Sequence, residues 1–209
     1  MSAHPTETAL VADPDNDLFS RQNMRRLSAE ELRDSVLAVS GQLNLEMKGP
    51  SVYTKVHKEV LHGQSRPGYG WTTSEPSQQA RRSIYVHVKR SLVPPLLAIF
   101  DSADTDISCP VRFATTQPTQ ALELFNSEFA SEQARQLAQR VAGETGQNPR
   151  DQVKRLLWLT TQRKPTAAEV DRGIDFIENL PLKDNANQEA AVSNYCLLVL
   201  NLNEFVYLD

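Results

Sequence analysis

Residues 101–116 contain the side chains with the widest chemical repertoire, because three aspartates precede a cysteine and two threonines follow it. Cys109 has four candidate roles: a nucleophile, a metal or haem ligand, one half of a disulfide, or a loop residue ahead of a helix. A nucleophilic thiol requires a base within hydrogen-bond reach. The candidate bases are His57, His62 and His87, and no recognised motif surrounds any of them. The sequence therefore favours a packing or loop role for Cys109 over catalysis.

A disulfide between Cys109 and Cys196 is the main alternative, since these are the two cysteines of the chain. If the domain folds outside the cytoplasm, closing a loop of this size would contribute about 4 kcal/mol. Two cysteines alone cannot complete a zinc site, and the chain has no C-x-x-C-H motif for covalent haem attachment. We predict neither a metal nor a cofactor.

Asp101, Asp104 and Asp106 follow the pattern D-x-x-D-x-D, which resembles part of a calcium-binding loop. The stretch lacks the glycine at the sharp turn and the distal bidentate glutamate of an EF-hand loop. Turn and capping interactions are therefore the better account of these carboxylates. His87 alternates with apolar neighbours, and we interpret it as a hydrogen-bonded strand residue rather than a metal ligand.

A basic segment, RRSIYVHVKR, lies at residues 81–90 of a protein whose formal net charge is −4. Residues 51–100 carry seven basic and two acidic side chains, whereas residues 151–209 carry six basic and nine acidic ones. The overall charge argues against a general nucleic-acid binder, but cations beside aromatic rings could bind an acidic polysaccharide or an acidic protein surface. The alternative is a strand edge protected by charge. The candidate binding residues are Arg81, Arg82, Lys89, Arg90, Tyr85 and Trp71.

Helical periodicity dominates the chain, so we predict a mainly α fold, a compact bundle of about five to seven helices. Capping boxes that begin at Ser28 and Thr166, and the Asn148-Pro149 pair, mark helix starts. The predicted helices cover about residues 29–44, 95–101, 117–143, 149–160, 167–180 and 187–205.

Residues 45–80 form a long irregular segment, because glycines and prolines interrupt every apolar period there. Residues 84–88 alternate between apolar and polar side chains, which predicts a strand, and residues 51–56 are its best antiparallel partner. Residues 1–16 are polar and predict a disordered or loosely packed lead-in, followed by a single helical domain over residues 17–209. No window approaches a membrane span, and no export signal is predicted for the chain as given.

Six stretches, in this order, carry a family resemblance: RLSAEELRDSVLAVSGQLN, GPSVY, GQSRPGYGW, RRSIYVHVKRSLVPPLLAIFD, SCPVRFATTQPTQALELFNSEF and LLVLNLNEFVYLD. Together they resemble the C-terminal domain of unknown function of large exported planctomycete proteins. Those proteins also carry a cytochrome-c-like domain and a second domain of unknown function. The resemblance covers about residues 13–209, and it implies an extracytoplasmic location and a partner that carries a haem domain. It implies no catalytic residue, and the chain is expected to be a detached module or a gene fragment.

Two hypotheses of function follow. The first is a non-catalytic accessory or interaction module, which packs against or recruits another domain or protein of the same system. The rival is a hydrolytic or redox enzyme that uses residues 45–80 with His57, His62 and Cys109. A pocket that gathers two of these three side chains would favour the enzyme.

Overall fold

The computed structural model describes residues 6–64, 66, 68–180 and 188–208, and helices dominate these residues. The predicted mainly α fold is confirmed, and six of the described helices have nine residues or more. The helices are α1 (Glu7–Ala12), α2 (Ala29–Val39), α3 (Lys58–His62), α4 (Pro76–Gln79), α5 (Pro95–Ile99), α6 (Pro118–Asn126), α7 (Glu128–Thr145), α8 (Pro149–Thr161), α9 (Ala167–Asn179), α10 (Gln188–Val199) and α11 (Asn203–Val206). The strands are β1 (Arg25–Arg26) and β2 (Tyr207–Leu208).

Capping side chains explain where the longer helices begin. The Ser28 hydroxyl accepts from the Glu31 amide at 3.3 Å, and the Glu31 carboxylate accepts from the Ser28 amide at 2.9 Å. Thr166 and Glu169 form the same reciprocal pair at the start of α9, and Asn148 caps α8. These starts confirm the predictions, because each cap satisfies a backbone donor that the first turn leaves open.

Several predicted helices differ from the observed ones. The helix predicted over 29–44 ends at Val39, and Gly41 follows it with a φ of +76°. The run predicted over 117–143 divides into α6 and α7, because Ser127 is extended and its hydroxyl caps the second helix.

The final predicted run, over 187–205, also divides, into α10 and α11, and its first residue lies outside the described residues. Pro181, predicted to stop α9, lies outside them as well.

The core forms where α10 packs along α7, with α8 and α9 against them. Gly173 permits a close approach of α9, since a Cβ at this position would lie 2.5 Å from the Tyr195 hydroxyl oxygen and 2.6 Å from a Val153 methyl group. None of the described helices is long and apolar enough to span a bilayer. The buried residues that α10 contributes to the core are Ala191, Val192, Tyr195, Cys196 and Val199.

The antiparallel strand pair joins residues 25–26, which precede α2, to residues 207–208 near the end of the described residues. Arg25 lies opposite Leu208, and Arg26 lies opposite Tyr207. The pair brings β1 beside the C-terminal part of the core, where α11 and β2 follow α10.

The strand predicted at residues 84–88 is wrong. Residues 83–85 form one turn of 3-10 helix, and a single parallel bridge joins Val52 to Val86 where an antiparallel pair was expected. Asp34 explains the turn, because its Oδ1 accepts from both the amide and the hydroxyl of Ser83 at 2.7 Å. A side chain from α2 thus satisfies the amide at the first residue of the turn.

Part of the predicted lead-in is helical, and α1 has no buried residue. Asp13 holds the turn that follows α1, because its carboxylate accepts from the amides of Asp17 at 2.8 Å and Leu18 at 3.1 Å. Residues 1–5 lie outside the described residues, and the domain boundary at residue 17 stays a prediction.

Candidate interaction site

Residues 101–115 form an exposed loop whose ends are joined, and we refer to it as the 101–115 loop. The Asp101 carboxylate accepts from the Thr115 amide at 2.8 Å and from the Thr115 hydroxyl at 2.9 Å. Arg26 Nη2 donates to the same carboxylate at 2.7 Å. The Arg26 side chain is buried and also stacks on the Phe100 ring, with 5.0 Å between the guanidinium carbon and the ring centre. Charge-assisted hydrogen bonds therefore fix both ends of the loop to β1.

Further contacts hold the loop from its flanks. Gln120 of α6 donates to the Ile99 carbonyl at 3.1 Å and to the Thr115 hydroxyl at 3.3 Å. Arg112, within the loop, forms a bidentate pair with Glu30 of α2 at 2.7 and 3.0 Å. Partial burial acts to raise the pKa of Glu30, but the bonds from Arg112 and the helix start outweigh it, and the pKa is lowered.

The loop presents apolar side chains to solvent even though its ends are fixed. Ile107, Val111 and Phe113 are exposed, and Phe113 reaches 79%. Single exposed apolar residues are ordinary on a protein surface, but three on one anchored loop form a candidate contact surface.

Cys109 lies in this loop as an exposed free thiol, and its Sγ donates to the Val111 carbonyl at 3.4 Å. Cys196 is fully buried in α10, where burial raises the pKa of its thiol to about 12. Both thiols are free in the structure, where Cys196 points into the core and Cys109 lies on the exposed loop. The disulfide considered from the sequence stays a prediction.

The histidines of the enzyme hypothesis belong to α3. The His57 Nδ1 accepts from the Glu59 amide at 3.4 Å as the N-cap, and His62 lies in the last turn. Among the described residues, no hydrogen bond connects Cys109 to either histidine. His87 is not in a strand; it stacks on Tyr53 with 4.5 Å between ring centres.

The three aspartates have protein partners of their own. Asp101 joins the loop ends, Asp104 Oδ1 accepts from the Asp106 amide at 2.8 Å, and Asp106 pairs with Arg90. The expected turn chemistry is confirmed at Asp104. No group of three His, Cys, Asp or Glu residues arranged to hold a metal occurs among the described residues.

Arg81, a candidate binding residue, is buried at 1% exposure. Its guanidinium donates to the carbonyls of Glu46 at 3.2 Å, Pro50 at 3.3 Å and Lys48. It also lies 3.8 Å from the centre of the half-buried Tyr85 ring. Arg81 therefore organises the start of the irregular segment, and its guanidinium is occupied by its own chain.

The remaining candidates do not form one open surface with it. Trp71 is buried, and its Nε1 donates to the Thr54 carbonyl at 3.0 Å. Lys89 donates to the Tyr69 carbonyl at 2.8 Å. The exposed cations Arg82 and Arg90 lie near Asp34 and Asp106 respectively. Anion binding at this segment stays a prediction, and it rests on Arg82, Lys89 and Arg90.

A model of the family PSD1, described as a protein of unknown function (DUF1553), matches residues 1–177. The chain belongs to this family. The resemblance seen in the sequence is thereby confirmed for the domain of unknown function. No curated protein and no solved structure matched the chain. The match includes the whole 101–115 loop of this DUF1553 chain, while α10 and α11 follow the matched residues and share the same core.

Ile107, Val111 and Phe113 of this DUF1553 chain were not predicted as functional residues. A signal was present, since they are the large apolar residues of a stretch otherwise rich in aspartate, serine and threonine. Apolar residues without a helical or strand period, in a loop between two helices, indicate a surface contact.

Proposed function

We propose that this domain is a non-catalytic interaction module, and that the 101–115 loop docks onto another domain or protein of the same system. The observation that carries the proposal is the exposure of Ile107, Val111 and Phe113 on a loop with anchored ends. Because the loop is held before binding, little conformational entropy is lost when a partner covers it.

The size of the surface indicates the kind of association. Full burial of three such side chains contributes roughly 5–8 kcal/mol, and association itself costs about 4–15 kcal/mol. Because the free energy gained by burial hardly exceeds the cost of association, the contact between free molecules is expected to be weak. The same contact is sufficient when the partner is tethered, because a linked partner has an effective concentration in the millimolar range.

The partner of this proposal is therefore a domain of the same multidomain system. The resemblance to planctomycete proteins with a cytochrome-c-like domain makes a haem domain the first candidate. Phe113 would be the central anchor, since a buried aromatic side chain contributes most to such interfaces.

Photocrosslinking tests the proposal, and Cys109 supplies the attachment point. A benzophenone maleimide should label Cys109 selectively, because Cys196 is buried. After irradiation at millimolar concentrations of the candidate haem domain, close to the effective concentration of a tethered partner, we expect one main crosslink between the two domains. The Phe113→Ser variant should lose it, whereas Leu122→Ser, an exposed change on α6, should keep it. Equal crosslinking by wild type and Phe113→Ser, or no crosslinked product, would refute docking through this loop.

A further inference from the structure

A second surface, remote in sequence from the 101–115 loop, lies where α8 is joined to α9. It is a cavity of about 550 Å³ that opens to solvent. This volume falls within the range of small-molecule sites. Its lining includes Arg150, Arg155 and Trp158 of α8, Lys164 and Pro165 of the connection, and Val170 of α9.

The lining of this α8–α9 cavity is rich in cations. Arg150, Lys154, Arg155 and Lys164 line it, with Asp151 as the acidic lining residue. Their charges add at one place on a protein whose net charge is −4. A concave surface lined by one sign of charge concentrates the opposite ion.

Most of these cations have carboxylate partners that an incoming anion can replace. Arg150 pairs with Asp171 at 2.9 Å, and Arg155 pairs with Glu144 at 2.5 Å. Exposed pairs of this kind contribute about 0–1 kcal/mol. Lys164 has no ion pair or hydrogen bond among the described residues, so its ammonium group is available without such an exchange.

Trp158 gives the cavity a flat apolar wall. Its side chain is 44% exposed even though the Arg155 guanidinium carbon lies 4.7 Å from the centre of its ring. Pro165 and the buried Val170 continue the apolar lining. Trp158 is exposed and lies beside Lys164, which has no ion pair or hydrogen bond in the part of the chain that the structure describes; this is the combination that the sequence suggested for the basic segment, where Trp71 and Arg81 are buried.

We propose that the α8–α9 cavity binds an anionic saccharide unit, that is, a sugar ring that carries a carboxylate or a sulfate. The C–H face of the ring would pack on Trp158, since the face of an aromatic ring is electron-rich. The acidic substituent would meet Lys164 and Arg155. Phosphate sites usually use backbone amides of a glycine-rich turn, and residues 162–166 contain no glycine. The proposal does not depend on docking through the 101–115 loop.

Isothermal titration calorimetry of the full chain at low salt tests this site. The probes are digalacturonate, a sulfated heparin disaccharide, neutral cellobiose, and ADP as a charged non-saccharide. We expect one of the two acidic disaccharides to bind, more weakly as salt is added, and cellobiose to give no heat. ADP carries a flat base and phosphate charge but no acidic sugar ring, so tighter binding of the disaccharide than of ADP distinguishes saccharide recognition from general charge attraction.

Four variants locate the binding. Lys164→Gln and Trp158→Ala should each weaken it by about tenfold or more, and Trp158→Tyr should restore part of it. Lys55→Gln, which removes an exposed cation outside the lining of the cavity, should leave it unchanged. The proposal is wrong if neither acidic disaccharide binds, if ADP binds equally well, or if Lys55→Gln weakens binding as much as Trp158→Ala does.

Discussion

Asp101 binds Thr115 through both the amide and the hydroxyl of that residue, so one carboxylate joins the first and last residues of an exposed loop. Asp101 itself has a φ of +60°, a conformation that few residues other than glycine adopt. The hydrogen bonds from Thr115 and Arg26 compensate for this strain. The exposed apolar residues between them are thereby presented in one arrangement.

Removal of this carboxylate should loosen the loop and the domain together. We expect Asp101→Ala to lower the free energy of unfolding by about 2–3 kcal/mol, because the buried Arg26 loses its charged partner. Urea titration measures this loss, and amide exchange of residues 102–114 should become faster. Asp104→Ala, in the exposed part of the loop, is the matched control and should change stability by less than about 0.5 kcal/mol. If the two variants are equally stable, the carboxylate does not anchor the loop.

Alanine substitutions at two helical glycines should have opposite effects on the stability of the domain. A Cβ at Gly173 would collide with the Tyr195 and Val153 side chains, so Gly173→Ala should cost about 1–3 kcal/mol. Among the described residues, no atom outside the neighbouring backbone of α7 lies within 4 Å of a Cβ at Gly143, and Gly143→Ala should stabilise the domain by about 0.5–1 kcal/mol. Thermal unfolding of both variants tests the close packing of α9 on α10, and a stabilised Gly173→Ala would contradict it.

Protonation of Glu169 at low pH should lower the free energy of unfolding of the domain. Its hydrogen bond from Arg163 and that from the Thr166 amide lower its pKa from 4.5 to about 2. A lowered pKa in the folded state means that this stabilisation is present above pH 4.5 and is lost as the pH falls toward 2. Glu169→Gln and Arg163→Gln should each reduce the dependence of the unfolding free energy on pH in this interval. An unchanged pH dependence in both variants would show that the pair does not contribute.

The two thiols should differ sharply in reactivity. With Ellman's reagent we expect one reactive thiol per native chain, Cys109, and two after denaturation, because Cys196 is buried. Cys109→Ser should abolish the native reaction. Absence of reactive thiols in the denatured, unreduced chain would instead demonstrate a Cys109–Cys196 disulfide.

Arg81 should be a structural residue. Arg81→Met leaves the carbonyls of Glu46, Lys48 and Pro50 without their donor, and we expect a loss of about 3 kcal/mol. Limited proteolysis should then cut more readily within residues 45–80. Arg82→Met is the neighbouring control, since the Arg82 side chain is 56% exposed and should matter little. Equal stability of the two variants would show that Arg81 does not have this structural role.

Features that depend on neighbouring residues were predictable from the sequence. The caps at Ser28, Asn148 and Thr166 each involve residues no more than three positions away. Such signals act within one helical turn, so the tertiary structure did not override them. The start of α6 lies one residue from the start predicted at residue 117, because Pro118 fits the first helical position.

Features that depend on distant residues were not predictable. The alternation at residues 84–88 looked like a strand, but Asp34 of α2 takes the Ser83 amide. The burial of Arg81 depends on carbonyls more than 30 positions earlier in the chain. The contact surface of the 101–115 loop likewise depends on Arg26, 75 residues before Asp101. Periodicity carries no information about such pairs.

The pairing of β1 with β2 also determines when the molecule can finish folding. Helix pairs such as α7–α8 and α8–α9 use contacts that are close in sequence, so we expect them to form early. The Leu27 amide donates to the Val206 carbonyl at 2.8 Å, and this contact must await synthesis of residues 206–208. Arg26 lies in the same pair of strands and holds the 101–115 loop. A partner that recognises this loop would therefore select chains in which β2 has been synthesised and has paired with β1.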